Sequence, residues 1–171
     1  MTLSFTTSRL NVFEISSNIP QSDIQHLLSS IPTLLTPNVV KNLPAYFHGI
    51  ESQADALIWL KKLMSESRLF AVSLRGLDKT IGFLFAYIEN SGSVHIGYLL
   101  DEEYWGQGLA SELLQSFIAQ TSQKENWISL IAGVEISNQA SLKLLLKLGF
   151  IEDSVGEDGV VFYKYTFPQK Q

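Results

Sequence analysis

Residues 104–114 read "YWGQGLASELL". Two glycines flank one glutamine, behind a tryptophan, where an apolar helical pattern begins. Glycine weakens a helix interior by roughly 0.5–1 kcal/mol relative to alanine. Two at a helix start therefore point to a sharp turn or to a close backbone approach. A strand pattern, "SVHIGYLL" (93–100), ends just upstream. Downstream, "GLASELLQSFIAQTSQ" (108–123) places Leu109, Leu113, Leu114, Phe117 and Ile118 on one helical face. The first N–H groups of a helix lack intrahelical partners, and its dipole makes that end positive. Strand, glycine turn and helix start together form a generic anion cradle. A plain connecting turn is the competing reading. Asp101, Glu102 and Glu103 would repel an anion unless they point elsewhere.

The rest of the chain supplies the frame. It has 171 residues, 46% hydrophobic and 17% charged. One globular domain over residues 1–171 is expected. The absence of cysteine excludes disulfides, thiolate metal sites and cysteine nucleophiles. No cluster has metal-ligand spacing, so no metal is expected. A net charge of −5 without a basic run argues against nucleic acid and mildly favours cationic substrates. No signal peptide or membrane-crossing stretch is read, so the expectation is a soluble cytoplasmic protein without membrane association.

"RLNVFEI" (9–15) alternates as a first strand. "SDIQHLLSSI" (22–31) reads as a short helix capped by Ser22. Pro32, Pro37 and Pro44 then predict loops and short helical pieces. "SQADALIWLKKLMSES" (52–67) is a helix with Ser52 and Asp55 as a capping box and an apolar stripe that includes Trp59. "LFAVSLR", "TIGFLFAYIE" and "SVHIGYLL", separated by "GLDK" and "NSGS", form an antiparallel meander. After the 108–123 helix comes a buried-type strand, "WISLIAGVE" (127–135). A helix, "NQASLKLLLKL" (138–148), is stopped by Gly149 and Phe150 in a Schellman-like ending. "VVFYKYTF" (160–167) closes the chain as a strand. The prediction is an α/β fold with a mixed, mostly antiparallel central sheet and helices on both faces.

Neither the dinucleotide fingerprint nor the P-loop fits the glycines. Instead, "IGYLLDEEYWGQGLASELL" followed by "NQASLKLLLKLGF" resembles the GNAT N-acetyltransferase superfamily, specifically its RimJ/RimL-like branch. Residues 105–110 match the motif [QR]-x-x-G-x-[GA] as W-G-Q-G-L-A, with Trp105 in the first position. The opening "TTSRLNVFEI" is similar to that branch's T-x-R-L-x-L-R.

The resemblance implies the acyl-CoA N-acyltransferase fold, with the sheet splayed between "SVHIGYLL" and "WISLIAGVE". It implies acetyl-CoA as cosubstrate and a primary amine as acceptor, either a protein N-terminus or a small amine. The diphosphate would lie on the backbone N–H groups of Gln107, Gly108, Leu109, Ala110 and Ser111, with Gly106 shaping the approach. The pantetheine arm would pair with backbone at Leu99 and Leu100, as in β-augmentation. Asn138 would contact the cofactor arm, serve as N-cap of the following helix, or do both.

Acetyl transfer needs a neutral amine, hence a base. Glu135, at the end of "LIAGVE", and His95 are the candidates, and Ser141 could face the cofactor. Many family members place a tyrosine acid where this chain has Leu145. Tyr98 reads as a packing residue, and His26 and His48 as surface or substrate-pocket residues. Another acyl donor such as succinyl-CoA, or a non-catalytic CoA-binding domain, are the alternatives. A monomer or homodimer is expected.

Overall fold

The computed structural model describes residues 1–171. Eight strands form one sheet in the order β1-β2-β3-β4-β5-β6-β8-β7. They are β1 (Ser4–Thr6), β2 (Leu10–Ile15), β3 (Arg68–Leu74), β4 (Thr80–Ile88), β5 (Ser93–Leu100), β6 (Ser129–Glu135), β7 (Ile151–Val155) and β8 (Val160–Thr166). The helices are α1 (Gln21–Leu34), α2 (Pro37–Val40), α3 (Gln53–Glu66), α4 (Leu109–Lys124) and α5 (Gln139–Lys147). The β1/β2, β2/β3, β6/β8 and β7/β8 pairs are antiparallel, and β5/β6 is parallel. The predicted mixed, mostly antiparallel α/β architecture is the one observed. In the β5/β6 ladder, Ser93, Val94 and His95 stand opposite Ser129, Leu130 and Ile131. The register thus covers only the first three residues of each strand.

The chain divides into two compact units: Met1–Phe85 with Tyr98–Leu109, and Ala86–Gly97 with Ala110–Gln171. In the first unit, α1 packs on α3 and α3 on β3. Trp59, Phe47 and Phe83 are almost fully buried there. The rings of Phe47 and Phe83 stand edge-on to Trp59 at 5.6 and 5.4 Å, an arrangement that aromatic quadrupoles favour. Trp59 is therefore a core residue, as its helical spacing predicts. In the second unit, the α4 residues Leu113, Leu114, Phe117 and Ile118 are buried, as their helical spacing predicts.

Local signals behave as their chemistry dictates. The Ser52 side chain accepts from Asp55 N–H, and the Asp55 carboxylate accepts from Ser52 and Glu51 N–H, a complete capping box. These backbone donors hold the Asp55 carboxyl below its usual range. At the end of α5, Phe150 N–H donates to Leu145 C=O and Gly149 N–H to Leu146 C=O, with Gly149 at φ +95°. That is a Schellman motif. Leu145, whose carbonyl accepts in this motif, is buried.

Two expectations need correction. Ser22 is not a cap: α1 begins behind Pro20, without a side-chain cap. Pro32 does not end α1, which runs through it to Leu34. The buried stripe Leu27, Leu28, Ile31 and Leu34 holds the helix across the missing N–H, so tertiary packing outweighs the proline penalty. Two strands also escape the sequence pattern. β1 has only three residues, and all five residues of β7 are exposed, so it has no inward face to alternate.

Candidate active site

The turn between β5 and α4 lies almost wholly in the first unit. Glu102–Tyr104 form one 3-10 turn, and α4 starts at Leu109. Gly106 and Gly108 have φ +73° and +78°, a left-handed conformation that side-chain-bearing residues resist. Trp105 Nε1 donates to Leu100 C=O at 2.8 Å, closing the turn back on the strand. Gln107 Nε2 donates to Glu103 C=O at 3.1 Å. Residues 105–108 are all exposed. Two left-handed glycines thus flank Gln107 immediately before α4.

The three upstream carboxylates are occupied elsewhere. Glu102 accepts from the Thr36 hydroxyl at 2.9 Å and from Asn38 Nδ2 at 3.1 Å. Asp101 caps the 3-10 turn through Glu103 N–H. Lys79 lies 3.9 Å from both Asp101 and Glu103. Lys79 is the one cation beside the three carboxylates, and the partners of Glu102 are neutral.

Arg9 is the residue that sequence reading passed over. In the sequence it stands only as the start of a strand and part of the opening motif. Its Nη1 donates to Gln107 C=O at 2.8 Å, and a Cβ built on Gly108 would stand 3.6 Å from its Nη2. One guanidinium therefore pins the central carbonyl of the turn and brings positive charge to it. The partners lie 98 positions apart, so no local pattern announces the bond.

Leu99 and Leu100 are buried at the end of β5, and the Leu100 carbonyl accepts from Trp105 Nε1. Leu109 is buried, and Ala110 and Ser111 are part-exposed in the first turn of α4.

The remaining candidates lie in the second unit. Asn138 is the N-cap of α5, and its Oδ1 accepts from Ser141 N–H at 3.3 Å. Its capping role is thus present, and Ser141 occupies the first helical turn. Glu135 ends β6 opposite Val160, part-exposed. His95, on β5, donates from Nε2 to Glu89 Oε1 at 2.8 Å. Its ring stands edge-on to Phe162 at 6.2 Å and tilted to Tyr87 at 6.4 Å. His95 pairs with Ile131, and Glu135 lies four residues further along β6. Both side chains share a face of the sheet, but the strand rise separates them by about 13 Å. A single amine cannot touch both.

His26 is exposed on α1, and the His48 ring hydrogen-bonds with Leu43 C=O at 3.1 Å. A depression of about 140 Å³ lies between Tyr46, Ile50, Asp55, Ile58, Trp59 and Lys62. That is well below the roughly 300 Å³ of a small ligand pocket. Trp59 Nε1 is buried there without a hydrogen-bond partner. The Tyr46 hydroxyl is pushed up by burial and then by Glu66. No helix is long and apolar enough to cross a membrane.

Arg9→Ala removes the charge-assisted bond that holds the Gln107 carbonyl, worth roughly 1.5 kcal/mol, and should lower Tm by about 3–6 °C in a thermal melt.

The model of the acetyltransferase (GNAT) domain matches residues 20–151. An uncharacterized N-acetyltransferase, p20 of Bacillus licheniformis, is 33% identical over 116 residues, covering 66% of this chain and 65% of the relative. The match thus spans slightly less than two thirds of that relative's length. Among solved structures, RimL, the ribosomal L7/L12 alpha-N-protein acetyltransferase in complex with coenzyme A, has a TM-score of 0.80 at 16% identity, covering 96% of this chain and 98% of that one. Spermidine N-acetyltransferase from Vibrio cholerae, in complex with CoA and spermine, has a TM-score of 0.74 at 16% identity, covering 94% and 96%. With the family model spanning most of its length and its fold shared with RimL, the chain belongs to the GNAT acetyltransferase family.

Proposed function

We propose that this protein transfers an acetyl group from acetyl-CoA to a primary amine by direct attack on the thioester. Residues 1–171 form one catalytic domain in this reading, and the family match running through both compact units supports it. The observation that carries the proposal is the turn itself. Two left-handed glycines precede a long helix, and Arg9 pins the carbonyl between them.

The amides of Gln107, Gly108, Leu109, Ala110 and Ser111 would hold the diphosphate, with Gly106 keeping its approach open. Backbone at Leu99 and Leu100 would pair with the pantetheine arm. Asn138 would combine its cap with a contact to that arm. One base, Glu135 or His95, takes the ammonium proton, and holding amine and thioester together supplies much of the rate. RimL acts on a protein α-amine and the Vibrio cholerae enzyme on spermidine, so both acceptor classes belong in the test. A net charge of −5 supports a cationic acceptor. A cytoplasmic location, where acetyl-CoA is made and used, fits this reading.

The test follows free thiol release from acetyl-CoA with a panel of N-terminal peptides, polyamines and small amines. At least one amine should give amine-dependent thiol release. Succinyl-CoA, run in parallel, should turn over more slowly. Tight CoA binding with no turnover on any amine or donor would contradict catalysis.

A further inference from the structure

We propose that Glu89 is a positioning residue for His95, and that the two form a carboxylate–imidazole dyad whose Nδ1 receives the proton of the acceptor amine. This rests on the acetyltransferase reading above and chooses between its two bases.

The argument starts from the hairpin between β4 and β5. Glu89 N–H donates to Ser93 C=O at 2.9 Å, so the chain folds back on itself at "NSGS". Two residues further from the turn on each strand, the rings of Tyr87 and His95 come together. The Glu89 side chain then reaches His95 Nε2 at 2.8 Å. A carboxylate can only accept, so the ring carries its proton on Nε2 in the neutral state. The lone pair is left on Nδ1, which makes no hydrogen bond within the protein. Phe162 and Tyr87 fix the ring plane from two further sides. A base held in one tautomer by a carboxylate, with its second nitrogen open, is the arrangement that proton abstraction needs.

The surrounding face is accessible and simple in charge. On β5, β6 and β8 the opposite face, with Val94, Ile96, Leu130, Val134 and Tyr163, is buried. His95 lies on the face that is only part-buried, alongside Ile131, Gly133 and Phe162. The charged or titratable groups on that face are Glu89 and Tyr87 from the β4 side, Glu135 on β6 and Lys164 on β8. Lys164 stands opposite Ile131, two strands from His95. That is about 10 Å at ordinary strand spacing, where screening is strong. Glu135 is further still. Glu89 alone is in contact and sets the field at the imidazole.

Protons and electrons balance without another reactant. The ammonium gives one proton to Nδ1, and the freed nitrogen lone pair attacks the thioester carbonyl carbon. The C–S bond breaks with its electron pair on sulfur. The new amide nitrogen sheds its second proton, which neutralises the thiolate, and the imidazolium returns its proton to solvent.

The test joins NMR of the imidazole nitrogens, which reports the tautomer, with kcat and KM for wild type, Glu89→Gln, Glu89→Ala and His95→Ala. Coenzyme A affinity is measured separately and should not change. In wild type the neutral ring should be the Nε2–H tautomer. Glu89→Gln keeps an acceptor for Nε2–H, so the tautomer and most of kcat should be kept. Glu89→Ala should lose the single tautomer, with kcat about tenfold lower and KM little changed. His95→Ala should lose about 100-fold in kcat.

An Nδ1–H tautomer in wild type, or an unchanged tautomer in Glu89→Ala, would overturn the dyad. A changed tautomer with an unchanged kcat in an active enzyme would overturn its catalytic role while leaving acetyl transfer intact. Absence of turnover in wild type with every amine would instead remove the acetyltransferase reading, and the catalytic role with it.

Discussion

Gly108→Val should weaken coenzyme A binding by about 100-fold or more while the protein stays folded. The cause is backbone conformation, not lack of space. At φ +78° an L-residue costs roughly 1–2 kcal/mol, and a β-branched one more. Arg9 Nη2, 3.6 Å from the added Cβ, can move aside. The turn therefore relieves strain by rotating, which turns the amides of Gly108 and Leu109 off their common direction. Two charge-assisted hydrogen bonds of about 1.5–3 kcal/mol each are then lost. The site is exposed, so little core packing is disturbed. Calorimetry for affinity and circular dichroism for fold separate the two effects. Unchanged affinity in the folded variant would remove the cradle from the account.

Gly82→Ala should act the other way, damaging the fold first. Gly82 is buried on β4. An added Cβ would overlap the Leu99 carbonyl oxygen and stand 2.6 Å from Leu100 Cδ2 and 3.2 Å from Leu100 Cα. Two of the three colliding groups are backbone, which cannot rotate away. Overpacking commonly costs 1–3 kcal/mol, and this geometry puts the cost at about 3 kcal/mol. For a chain of this size that is roughly a 10 °C fall in Tm. A Tm within about 2 °C of wild type would contradict this packing.

What the sequence makes legible follows from the range of each interaction. The α4 stripe, the Ser52–Asp55 box and the Gly149–Phe150 ending are set within a few residues, and each stands where its pattern puts it. The glycine turn is legible for the same reason. Long-range links are not. Arg9 meets Gln107 only because β2 and the β5–α4 turn belong to one folded unit. The partners of Glu102, Thr36 and Asn38, sit in a segment with little pattern of its own. Pro32 shows the converse, a local signal outweighed by buried neighbours in α1.

The Glu89–His95 contact lies between these cases. The hairpin was readable, and folding "TIGFLFAYIE" back on "SVHIGYLL" through a four-residue turn brings residues 87 and 95 together. The register was the signal that would have found it. Asn138 was read with two roles, and the capping one is in place.

The most direct measurement is a crystal structure of the complex with coenzyme A. The account predicts diphosphate oxygens within hydrogen-bonding distance of amide nitrogens between Gln107 and Ser111, with the pantetheine arm along Leu99 and Leu100. A coenzyme bound elsewhere, with this turn left bare, would contradict it.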